Sequence, residues 1–139
     1  MTSYRKVEWV SALSLLGWAL ILGLPGNSLG PKGLGLPYLS YSFGEVSLAV
    51  AMSIAGAAWC LALWINGHWR RSPALRATAA MVGALVWGQI ALAYVYEGLA
   101  AGVIEPALAN FAVLAVADVC SAARSAGEAW RIAERERGG

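Results

Sequence analysis

Residues 45–96 read EVSLAVAMSIAGAAWCLALWINGHWRRSPALRATAAMVGALVWGQIALAYVY. Two long apolar segments flank a short basic turn, Gly67-His68-Trp69-Arg70-Arg71-Ser72-Pro73. Each segment is as long as the roughly 20 apolar residues that a membrane-crossing helix needs. The pattern predicts a transmembrane hairpin whose turn, rich in arginine, lies in the cytoplasm.

The rest of the chain has the same character. Of its 139 residues 59% are hydrophobic and 13% charged, with a mean hydropathy of +0.60. Soluble domains hold about 45–50% apolar and about 25% charged residues, which places this chain in the membrane class. Its length allows one helical unit and its connections, so a single transmembrane domain is expected, with the lipid bilayer as its first partner. A formal charge of +2 is too small to point to nucleic acid. Cys60 and Cys120 both fall in apolar segments, where buried free thiols are expected rather than a disulfide framework.

Working outward, Arg5-Lys6 followed by the apolar run from Val10 to Leu24 reads as a first span rather than a removable leader, because no small-x-small cleavage site follows. Pro25-Gly26 stops it. The spans are predicted at roughly residues 8–24, 45–66, 73–96 and 105–121, with an outer loop over roughly 26–44 and a helical cytoplasmic tail over roughly 122–137. Ser72-Pro73 supplies a capping hydroxyl and a proline at the first helical position. In the tail, Glu128, Arg131 and Glu134 alternate in sign at helical neighbour spacing.

The cations are sorted. Arg5, Lys6, Arg70, Arg71, Arg76, Arg124, Arg131, Arg135 and Arg137 fall on one side of such a topology, and only Lys32 falls on the other. The positive-inside rule then puts both termini in the cytoplasm, and the four spans are expected to form an all-α antiparallel bundle.

Three groups of residues stand out as candidate sites. Ala49, Ser53, Gly56 and Ala57 form a small-residue stripe on the second span, a packing face used within the bundle or between protomers. Gln89, Asn110 and Asp118 are polar residues inside predicted spans, and each needs a partner or a purpose there. Gln89 and Asn110 come out at similar depth and are expected to hydrogen-bond. For Asp118 the candidate partners are Arg76, His68 and Asn66, with Arg76 roughly 10 Å short in depth. His68, Arg70, Arg71 and Arg76 make up the basic turn. A single histidine without an acidic or thiol cluster gives no metal site, and no nucleophile triad, phosphate loop or catalytic carboxylate pair occurs, so neither cofactor nor enzyme activity is expected.

Arg5-Lys6-Val7-Glu8, Leu63-Trp64-Ile65-Asn66-Gly67 before Arg70-Arg71, and Ala117-Asp118 followed by Ser121-Ala122 and Arg124 give the chain its resemblance to small four-helix membrane proteins of tailed phages and prophages. What this resemblance implies is a phage setting, in which such proteins serve as holins, superinfection-exclusion factors or assembly accessories. The expected function is holin-like permeabilisation of the cytoplasmic membrane by a homo-oligomer. The alternative is a non-pore anchor that binds a membrane protein partner, and a third class is a small transporter built on Asp118.

Overall fold

The computed structural model describes residues 3–26, 28–29, 37–68 and 72–138. They form five helices: α1 (Ser3–Gly23), α2 (Pro37–Phe43), α3 (Glu45–His68), α4 (Pro73–Ala101) and α5 (Ala107–Arg137). Among the described residues there is no strand. Four of the helices, all but α2, are long and apolar enough to cross a membrane. At 1.5 Å per residue α4 and α5 extend about 43 and about 46 Å, well beyond the roughly 30 Å of a hydrocarbon core.

Local chemistry sets the helix ends. The Ser72 side chain accepts a hydrogen bond from the Leu75 backbone N–H at 3.4 Å, and Pro73 follows in the first turn. At its other end α4 runs past Tyr96 to Ala101 and stops at Gly102, which adopts the left-handed conformation (φ 69°) and donates its N–H to the Gly98 carbonyl. Glycine is the residue that reaches this conformation without a Cβ clash. Helix α5 has no proline in its interior, and it continues without a break from the apolar run into the charged tail. The connection after α1 was expected to be loop throughout, yet it contains α2, a helix of seven residues whose Leu39 is buried.

Packing divides the spans into two close pairs, α1 with α3 and α4 with α5, joined through α3 against α4 and α1 against α5. Close approach is possible because many buried positions are alanine, among them Ala12, Ala19, Ala49, Ala80, Ala84 and Ala93. Gly56 belongs to this set, since a Cβ there would lie 2.9 Å from Leu16 Cγ. The small-residue stripe of α3 is therefore split: Ala49 and Gly56 are buried, while Ser53 and Ala57 are exposed. Of the two thiols, Cys60 is half-buried and Cys120 is exposed rather than buried, because its position on α5 points away from the other helices.

Candidate functional site

The polar residues of the core gather where the four long helices meet. Position 83 on α4 decides the distance of approach: a Cβ there would come within 2.2 Å of Trp59 Cζ3 on α3 and 2.7 Å of Asp118 Oδ2 on α5. Only glycine leaves room for both. Asp118 is fully buried, and its Oδ2 accepts a hydrogen bond from Ser11 Oγ of α1 at 2.6 Å. Ser11 is itself fully buried and accepts a bond from Trp87 Nε1 of α4 at 2.8 Å.

One helical turn away lies a second layer. Glu8 is three residues before Ser11 on α1, and Ser121 is three residues after Asp118 on α5, so each pair lies on one face of its helix. Ser121 Oγ donates to Glu8 Oε1. Helices α1 and α5 thus exchange a carboxylate and a hydroxyl twice, in opposite senses. Arg76 of α4 grips the same Glu8 with two donors, Nη2 to Oε1 at 2.6 Å and Nε to Oε2 at 3.3 Å, the forked geometry that makes arginine the strong partner of a carboxylate. Its Nη1 lies 3.7 Å from Glu128, a residue 53% exposed, while Glu8 is only 2% exposed. The charged layer therefore leads from the surface to the buried hydroxyl and carboxylate of the layer above.

An aromatic group closes the other side. The Trp87 ring stacks on Phe111 at a centroid distance of 5.9 Å, Tyr94 stacks on the same Phe111 at 5.4 Å, and Trp18 meets it edge-on at 5.1 Å. Trp87 joins the two regions, polar through its Nε1 and apolar through its ring. Three buried polar atoms have no hydrogen-bond partner among the described residues: Asp118 Oδ1, Ser125 Oγ and Trp59 Nε1.

Several sequence expectations are placed differently. Arg76 was a candidate for Asp118, but its guanidinium stops at Glu8, one layer short, as the depth count suggested. Asp118 instead takes a hydroxyl from α1. Gln89 and Asn110 are both exposed and make no hydrogen bond to each other; depth alone had paired them, and their positions around the helix axes turn both outward. Arg70 and Arg71 lie outside the described residues, as do the side chains of Asn66 and His68. Glu8, Ser11, Trp87, Ser121 and Ser125 were not among the candidate site residues read from the sequence. A signal for four of them existed: carboxylate and serine recur at helical spacing as Glu8 with Ser11 and as Asp118 with Ser121 and Ser125.

Compared with protein-family models, with curated proteins and with solved structures, the chain matches none of them.

Proposed function

We propose that this is a multi-pass protein of the bacterial cytoplasmic membrane that acts through lateral contacts with a membrane protein partner, as an anchor, exclusion factor or subunit of a phage-type assembly. Gln89 carries this reading. It lies near the middle of α4 with its side chain exposed, at a depth where water is absent and a lone amide is stabilised by a donor or acceptor on a neighbouring helix. Glu8 and Asp118, by contrast, are buried inside the bundle. In the proposed topology the bundle is antiparallel with both termini in the cytoplasm. The sorted cations support this, as does the pairing order of α1 with α5, in which position 8 meets 121 and position 11 meets 118. Native electrophoresis of mildly solubilised membranes tests the reading: the intact chain should migrate in a larger complex, and Gln89→Leu should release it. A single small species for both proteins would overturn it.

The holin-like homo-oligomer is the second reading, and exposed Ser53 and Ala57 favour it. Small side chains on the outer face of α3 allow a second copy of that helix to approach closely. In that case induced expression would depolarise and kill cells, and bulky residues at both positions would abolish the killing. Harmless accumulation of the intact chain would sink this reading.

A further inference from the structure

The buried layers do not balance in charge. Glu8 and Asp118 are both buried carboxylates, 2% and 0% exposed. The guanidinium of Arg76 contacts Glu8 and Glu128, not Asp118. Asp118 receives one neutral hydroxyl at Oδ2, and its Oδ1 is buried without a partner. A carboxylate anion held this way is costly in a medium of low polarity. Binding one proton removes the charge and needs no further ligand.

We propose that Asp118 is an exchangeable proton-binding site at the meeting point of the four spans. The step is the addition of H⁺ from water to the carboxylate to give the neutral acid, with no other bond broken. Every packed helix contributes to its surroundings. Helix α1 presents Ser11 and, one turn away, Glu8; α3 presents the Trp59 ring; α4 presents Gly83, Trp87 and, in the charged layer, Arg76; α5 itself adds Ser121, Ser125 and Glu128. Of these, Arg76 is the one cation, and its guanidinium is engaged with Glu8 and Glu128. The half-exposed Glu128 and the Arg76–Glu8 pair mark the side from which a proton reaches the site, because the stacked rings of Trp87, Phe111 and Tyr94 fill the opposite side.

The sequence makes a direct test possible, since Asp118 is the only aspartate in the chain. Infrared difference spectra of the purified full-length protein in lipid nanodiscs, with aspartate isotopically labelled, isolate this one carboxyl without any substitution. A labelled acid carbonyl band should appear as pH is lowered, disappear reversibly as it is raised, and shift in heavy water. The Asp118→Asn protein, if it folds, should lack the band. Sodium at constant pH should leave the band unchanged. A labelled group that stays ionised, or stays protonated without exchange, throughout the pH range in which the protein remains folded would overturn the proposal, as would displacement of the band by sodium.

Discussion

Gly83 holds Trp59 and Asp118 against the α4 backbone, so a single methyl group there has nowhere to go. Gly83→Ala should cost about 1–3 kcal/mol, the range for overpacking a filled core. At Gly88, five residues on, a Cβ would meet nothing within 4 Å, and Gly88→Ala should be neutral or stabilising by up to about 1 kcal/mol through helix propensity. Thermal unfolding of the two variants in one detergent gives the comparison. Glu8 and Glu128 provide a second contrast on one guanidinium. Loss of a partner from a buried pair costs about 3–5 kcal/mol, and Glu8→Ala should fall at the low end of that range because Arg76 keeps Glu128. Glu128→Ala, at an exposed pair, should cost no more than about 1 kcal/mol. Equal losses would mean that the buried half of the network carries no more weight than the exposed half. Asp118 was legible in the sequence as the one carboxylate deep in an apolar run. Its partner was not, because counting rise per residue gives depth along a helix axis and says nothing about which side of the axis a residue occupies.

At the scale of the element, the capping chemistry of α4 was readable from Ser72-Pro73, where a hydroxyl and a missing N–H suit the first turn. The extension of α4 to Ala101 was not, since Gly98 to Gly102 reads as a short turn. Gly98 lies in the last turn, buried against the connection, and its carbonyl accepts from both Gly102 and Val103, which closes the helix there. Gly102→Ala puts a Cβ into the left-handed region and should cost about 1–2 kcal/mol, seen as a lower unfolding temperature with unchanged helix content. Helix α2 escaped notice because its seven residues are too few to show a periodic pattern. Beyond Trp130 the side chains of α5 are mostly exposed. A chain ending at Trp130 should therefore unfold within about 0.5 kcal/mol of the intact protein, the usual range for surface changes. A larger loss would show that the charged tail packs on something within the bundle.

For the molecule as a whole, composition and cation sorting predicted membrane-crossing helices, and the chain forms four helices long and apolar enough for that role. The packing inside the bundle was much less legible, because alanine-rich spans offer many equivalent faces and the choice among them depends on a few residues such as Gly56 and Gly83. The functional reading rests on how polarity is distributed. The ionisable groups of Glu8, Arg76 and Asp118 turn toward one another, the aromatic rings close one side of that cluster, and the outer surface is predominantly apolar with Gln89 and Asn110 as exposed amides. Such a bundle should leave a bilayer sealed. The most direct measurement is the ion permeability of vesicles reconstituted with the purified full-length protein, followed as the decay of an imposed potassium diffusion potential. The account predicts decay no faster than in protein-free vesicles. Rapid collapse of the potential, increasing steeply with protein density, would contradict it and make the permeabilising oligomer the working form.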